Sequence, residues 1–198
     1  MTSRVLVNVG LTLGLCITVQ AQEVPPEVMA RIRAPIEAKY PTNFSMQKTL
    51  IDDQVASYRF LIKYAPDGIT KETLQRMRSP LEARYPDNYS MLKTLLEDQV
   101  ASFRFLGGYQ PKEVPTNVFG EVKQRVQQRY PDNYSMQKTL LEDQVASYEF
   151  LKSYAPQGVP SAVLAALKER IGSRYPRDYS MQKTLIEDEV KSYRELNR

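Results

Sequence analysis

The chain has 198 residues, of which 27 are Lys or Arg and 23 are Asp or Glu, and its formal charge is +4. It contains no histidine and no tryptophan, and its one cysteine is Cys16. This composition excludes histidine-based zinc sites and Ser-His-Asp triads. So small a charge gives no argument for nucleic acid, which is disfavoured as a partner.

Residues 1–21 are predicted to be a secretory signal peptide, because a short basic start is followed by an apolar run (5–19) and by small residues that end at Ala21. The apolar run is shorter than the ~20 residues that a membrane span needs. The lipoprotein alternative through Cys16 is disfavoured because the residue before it is not small. Cleavage leaves 26 basic residues against 23 acidic ones, a charge of +3, and no cysteine. We therefore expect a secreted or periplasmic protein, with no transmembrane segment after cleavage and no disulfide.

One stretch of sequence occurs four times in the remaining chain. It begins at Tyr40, Tyr85, Tyr130 and Tyr175, so the period is 45 residues. A constant period of this length is typical of helical repeat proteins. Prolines at the same period mark the boundaries, and Pro with Gly ends helices. The predicted units are repeat 1 (22–66), repeat 2 (67–111), repeat 3 (112–156) and repeat 4 (157–198), which together form one structural domain, 22–198.

The first predicted helix of each repeat, helix A, extends in repeat 4 from about Pro160 to Arg174. Its apolar residues recur at steps of three and four and form one narrow stripe, which favours an outer position. The Tyr-Pro pair that follows ends the helix, because a residue before proline avoids the α region. Repeats 1 and 2 carry Pro35 and Pro80 inside this helix, so a kink or a break is expected there.

The second predicted helix, helix B, begins in repeat 2 after the Pro-Asp-Asn turn, with Asn88 or Ser90 as its N-cap, and continues to about Tyr109. Its apolar residues, which begin with Met91, cover a wide arc and indicate contact with more than one neighbouring helix. Lys93 is predicted to lie opposite, in water. Two helices in each of four repeats predict an all-α fold of eight helices.

Repeat 4 departs from the other repeats at three positions of helix B, where it carries Glu189, Lys191 and Glu195. The equivalent residues in repeats 1 to 3 are Gln54, Gln99 and Gln144; Ala56, Ala101 and Ala146; and Phe60, Phe105 and Phe150. The phenylalanine and alanine columns lie on one side of helix B, and we interpret their change as a polar cap on a side that packs on the next repeat elsewhere. A polar terminal repeat is typical of a stacked solenoid, so four hairpins stacked as a short α-solenoid are favoured over independent hairpins.

The turn between the two helices of each repeat contains the residues that we select as a candidate binding edge. Exposed tyrosines beside cations can stack on sugars or hold a peptide. The structural alternative makes the rings wedges between helices and makes the cations partners of the helix dipole. The candidate residues are Tyr40, Tyr85, Tyr89, Tyr130, Tyr134, Tyr175 and Tyr179, together with Lys39, Arg84, Arg129 and Arg174.

Two further sets recur with the repeat. The set exemplified by Asp98, Gln99 and Ser102 is either a polar pocket or, as we favour, a group that satisfies loop backbone atoms. A second basic column in helix A could follow an anionic polymer or could be a solvated face. Its members are Arg33, Arg78, Lys123 and Lys168.

The sequence thus predicts an exported, non-catalytic helical repeat protein that acts as a binding or scaffold module for a protein, a peptide or a cell-envelope glycan or other polymer. No catalytic residue, metal ligand or cofactor is assigned. The first alternative is a structural protein that self-associates through its ends or its tyrosines. The second is an enzyme of unknown class that uses Asp, Lys or Tyr.

Overall fold

The structure, a computed structural model, describes residues 23–197, and within them it contains eight α-helices and no strand. The all-α prediction is confirmed, while the predicted signal peptide lies outside the described residues. None of the described helices is both long enough and apolar enough to cross a membrane. The helices are α1 (Pro26–Lys39), α2 (Phe44–Lys63), α3 (Lys71–Arg84), α4 (Tyr89–Gly108), α5 (Thr116–Arg129), α6 (Tyr134–Ser153), α7 (Ser161–Arg174) and α8 (Tyr179–Leu196).

Local signals determine where the B helices begin. Each of them follows an Asn or Asp whose side-chain oxygen accepts the backbone N–H three residues later, which satisfies one of the free amides of the first turn. In repeat 2 this N-cap is Asn88, whose Oδ1 lies 3.1 Å from the nitrogen of Met91. The equivalent caps are Asn43, Asn133 and Asp178. The N-cap is therefore the asparagine column, and not the serine two residues later.

Helices α1 and α3 pass through their internal prolines without a break. Both have 14 residues, the same length as α5 and α7, which contain no internal proline. Pro35 and Pro80 are exposed, so the carbonyl group that loses its helical hydrogen bond stays within reach of water. The expected break is therefore wrong.

The helices pack in a simple order. Each A helix packs on the B helix that follows it, and the four B helices lie side by side, α2 on α4, α4 on α6 and α6 on α8. Helix α4 thus lies closely along three helices, α2, α3 and α6, whereas α3 lies closely along α4 alone and meets the end of α2 only through side chains. The wide apolar arc of helix B and the narrow stripe of helix A correspond to these different surroundings.

The hydrophobic core joins residues of consecutive repeats. Leu106 at the end of α4 is buried with Phe119 and Val122 of α5. Leu61 is buried in the same way with Met77, and Leu151 with Ile171. These three leucines are 2%, 6% and 9% exposed in chain order, whereas Leu196, at the same position of repeat 4, is 86% exposed. The helices of one repeat therefore cover the end of the preceding B helix.

Three side-chain positions in helix B differ from the expectation. Met91 is 41% exposed, and the next residue, Leu92, is buried instead. The alanines Ala56, Ala101 and Ala146 are exposed, so this column does not pack on the next repeat. Lys93 lies 5.0 Å from the ring centroid of Phe60 instead of standing free in water. The phenylalanine column, and not the alanine column, contacts the next repeat: these rings are half-buried under lysines of that repeat.

Candidate functional site

The tyrosines that begin the B helices fill the space between consecutive repeats. Tyr89 is buried, and Tyr134 and Tyr179 are half-buried. Each ring meets an aromatic ring of the preceding B helix edge to face, with centroids 5.1, 5.0 and 5.0 Å apart, a favourable geometry for aromatic pairs. The partners are Tyr58, Phe103 and Tyr148. These three candidate residues are thus placed as wedges and do not form an open edge.

The tyrosines that end the A helices have a different environment. Each is half-buried and acts as the C-cap, and the exposed cation before it lies over its ring at 5.3 to 5.5 Å from the centroid. The pairs are Lys39 with Tyr40, Arg84 with Tyr85, Arg129 with Tyr130 and Arg174 with Tyr175. An exposed proline follows each pair. The structure therefore retains eight of the eleven candidate residues as one recurring surface, which we call the cation–tyrosine edge.

A groove lies beside this edge where two repeats meet. At the first junction it has a volume of about 350 Å³ and includes Ile32 and Ile36 of α1 with Tyr85 of the following turn. At the third junction the equivalent groove has about 320 Å³, with Val122 and Val126 on its floor. Its other lining residues include Arg125, Arg129, Arg177, Asp178 and Met181. At the third junction the apolar floor can hold side chains of an extended ligand while cations on the rim bind its polar groups; the groove at the first junction has the apolar floor with Asp87 at its side.

The glutamine column connects each B helix to the beginning of the next one. Gln99 Oε1 accepts the backbone N–H groups of Tyr134 and Ser135, at 2.7 and 3.3 Å, and its Nε2 donates to Asn133 Oδ1 at 3.0 Å. Gln54 and Gln144 make equivalent bonds to α4 and α8. For the glutamines, the interpretation that this set satisfies backbone groups is confirmed. Repeat 4 has no such glutamine, because Glu189 occupies this position.

The basic column of helix A binds the other end of the preceding B helix. Arg78, Lys123 and Lys168 donate to the carbonyl oxygens of the buried leucines that end α2, α4 and α6, at 3.2, 3.0 and 2.7 Å. These cations are half-buried, while Arg33 of repeat 1 is exposed. A cation on the last carbonyls of a helix is favourable. The column therefore contributes to packing between repeats and does not form an open ladder for a polymer.

Ion pairs between repeats reverse their sign along the chain. Arg31 pairs with Asp87 across the first junction at 2.9 Å, and Arg76 pairs with Asp132 across the second at 3.4 Å. At the third junction Glu121 pairs with Arg177, so that the carboxylate is now on the A helix. The sequence reasoning missed these pairs. They could have been found from the sequence, because both positions change the sign of their charge at the same junction. One position holds Arg31, Arg76 and Glu121, and the other holds Asp87, Asp132 and Arg177.

Metal ligands and buried tyrosines are the features of the described residues that bear on the enzyme alternative. No group of three or more His, Cys, Asp or Glu among residues 23–197 could hold a metal ion. Burial raises the pKa of Tyr179 above its ordinary value, with the neighbouring Tyr148 adding to the shift, and burial also raises the pKa of Tyr64 and of Tyr109. A phenol whose pKa is raised is a weaker candidate for a general base near neutral pH.

No family model matches this chain, and no curated protein and no solved structure matches it significantly. Two of the recurring surfaces carry polar or charged groups in every repeat: the junctions between repeats, whose groups largely bond to each other, and the cation–tyrosine edge, whose cations are exposed.

Proposed function

We propose that this chain is an exported, non-catalytic protein whose four helical hairpins stack as a short α-solenoid, and that it acts as a binding or scaffold module. The partner is a protein, a peptide or a cell-envelope polymer, and it binds along the cation–tyrosine edge. The observation that carries the proposal is the recurrence of four exposed cations, each over a tyrosine ring, at the same turn of each repeat.

The stacking part of the proposal is supported by the contacts that cross each junction. A glutamine of one repeat bonds to the first turn of the next B helix, a cation of the next A helix bonds to the last carbonyls of the preceding B helix, and a leucine is buried between them. A hairpin of 45 residues would be marginally stable by itself. The junctions provide the additional burial that such a hairpin needs.

The partner class follows from the chemistry of the edge. Guanidinium and ammonium groups bind carboxylates, sulfates or phosphates, and the apolar floors of the neighbouring grooves can receive apolar side chains or the apolar face of a sugar ring. Adjacent B helices pack side by side, about 10 Å apart, so the turns that carry the cations follow one another in steps of about that size and a short ligand cannot span all four. An extended partner with regularly spaced anionic groups therefore fits best.

The test removes the four cations of the edge and leaves the rings. In a variant with Lys39→Gln, Arg84→Gln, Arg129→Gln and Arg174→Gln, capture of material from a solubilised cell-envelope extract and of anionic glycans on an array should fall by roughly tenfold or more, because each charge-assisted bond contributes about 1.5–3 kcal/mol. Quantitative pull-down and array binding measure the loss.

The matched control replaces four exposed lysines outside this edge by glutamine, namely Lys63, Lys71, Lys112 and Lys191. It lowers the net charge by the same amount and should retain capture, while both variants should keep the helical circular dichroism of the parent. Equal capture by the two variants would show that this edge does not bind the partner.

Two alternatives remain to be compared with this proposal. An enzyme would need residues peculiar to one repeat, and those of the third junction, Glu121, Arg125, Arg177 and Asp178, are paired with each other. The enzyme alternative is therefore weakened. Self-association is favoured by one specific observation, namely that large apolar side chains are exposed at both ends of the row of helices, Phe44 and Leu196.

A further inference from the structure

The α1–α2 end and the α8 end of the described chain expose the residue types that face each other at the junctions between repeats. Phe44, at the start of α2, is 73% exposed, whereas the tyrosines at this position in the other repeats pack on the preceding B helix. Leu196, at the end of α8, is 86% exposed, whereas its equivalents are buried under the next A helix. Each exposed side chain is the one that a neighbouring repeat would cover.

The polar groups of the two ends also match. Arg33 is exposed on α1, and its equivalents donate to the carbonyls of the leucines that end α2, α4 and α6. The equivalent acceptor at the other end is the carbonyl of Leu196. Glu189, which pairs with Arg170 at 2.7 Å on the surface, stands where a glutamine oxygen accepts the first amides of the next B helix. A carboxylate can accept the same N–H groups, and its charge is favourable at a helix N-terminus. It cannot donate to the N-cap oxygen as Gln99 does, so this match is partial.

The charged residues of the two ends are complementary. Within the chain, Lys93, Lys138 and Lys183 lie 4.8 to 5.0 Å from the ring centroids of the preceding phenylalanine column. At the ends, the same positions hold Lys48 and Glu195, so an ammonium group would meet a carboxylate in place of a ring. Lys48 now pairs with Asp52 on the surface, and an exposed pair of this kind contributes little and is easily exchanged.

We propose that this protein associates head to tail with a second copy of itself, so that the α1–α2 end of one copy packs on α8 of the next and continues the row of B helices. In this interface Phe44 lies against Tyr193, Leu196 is covered by α1, and Lys48 faces Glu195. The two surfaces differ, so the contact is heterologous and adds further copies unless a ring closes.

This interface is weaker than the internal junctions. The ion pair that crosses each internal junction has no counterpart here. The equivalent positions hold Ala166 of one copy and Thr42 of the next, and neither residue is charged. Glu195 also buries less apolar surface than the phenylalanines of the internal junctions. The association is therefore reversible and depends on protein concentration, and it is separate from ligand binding at the cation–tyrosine edge.

Sedimentation velocity on the purified protein that begins at Gln22, without the predicted signal peptide, tests the proposal over a concentration series. The weight-average mass should rise with concentration, and Glu195→Lys or Lys48→Glu should move the association midpoint to concentrations roughly fivefold higher or more, because each places like charges opposite each other. Combining the two substitutions restores opposite charges and should restore the midpoint. Glu195→Phe recreates the internal lysine–phenylalanine contact and should strengthen association.

A mass that stays that of a monomer over the whole series overturns the proposal. Association that neither single charge reversal weakens, or that the combined variant does not restore, also overturns it, because the contact would then use another surface. Both positions are exposed, so unfolding of the variants is not expected, and circular dichroism checks this. The variant without the four edge cations should associate normally, so failure of the binding proposal is distinguishable from failure of this one.

Discussion

Leu106→Ala is expected to lower the free energy of unfolding by about 2–5 kcal/mol, the usual cost of removing a buried leucine side chain and leaving a cavity. Leu106 is 6% exposed and lies among Val114, Phe119 and Val122. All three belong to the next repeat, so most of this loss would come from the contact between repeats. Urea unfolding followed by circular dichroism measures the change.

The matched control is Leu196→Ala, which makes the same chemical change at the same position of repeat 4. Leu196 is 86% exposed, so its truncation should change the free energy of unfolding of the dilute protein by less than about 0.5 kcal/mol. A small effect at both leucines, or an equally large effect at both, would contradict the idea that a following repeat is what buries this position.

Gln99→Leu is expected to cost about 1–3 kcal/mol of unfolding free energy. Leucine keeps most of the apolar volume, but the N–H groups of Tyr134 and Ser135 lose the oxygen that accepts them at 2.7 and 3.3 Å. Donors left without a partner at a half-buried helix start carry this penalty. The same unfolding experiment measures it, and unchanged dependence on urea would show that the loss is in stability and not in the extent of unfolding.

Glu189→Leu is the control for this second prediction, since Glu189 occupies the same position in repeat 4. Its carboxylate pairs with Arg170 at 2.7 Å on the surface, and such exposed pairs contribute about 0–1 kcal/mol. Its replacement should therefore cost clearly less than that of Gln99. If the two substitutions cost the same, the glutamine would not be joining one repeat to the next.

Much of the fold could be predicted from the sequence because its signals are local. Asn88 caps a helix through the amide three residues later, and the Tyr-Pro pair after Arg84 ends the previous one. Repetition of these signals every 45 residues gave the number and order of the helices. The break that was one of the two expected outcomes at Pro80 does not occur, because whether proline breaks a helix depends on solvent access to the freed carbonyl, which the sequence does not show.

The candidate site was less predictable, because exposure depends on what packs against a residue. Tyr85 and Tyr89 belong to the same turn, yet the first faces solvent in part and the second is covered by Tyr58 of the preceding repeat. The difference in exposure between the two tyrosines comes from the packing of α4 on α2. The reversed pair of Glu121 and Arg177 was accessible to sequence comparison between the repeats, since its two residues change sign together.

Hydrogen exchange of single backbone amides tests most directly whether the hairpins stack. The first amides of an isolated helix have no partner within it, but those of Tyr89, Tyr134 and Tyr179 each donate to a glutamine of the preceding repeat at 2.7 Å. In dilute protein, these three amides should therefore exchange at least tenfold more slowly than the amide of Phe44, which begins α2 and has no preceding repeat in the described chain. Equally fast exchange at all four positions would contradict a stacked arrangement.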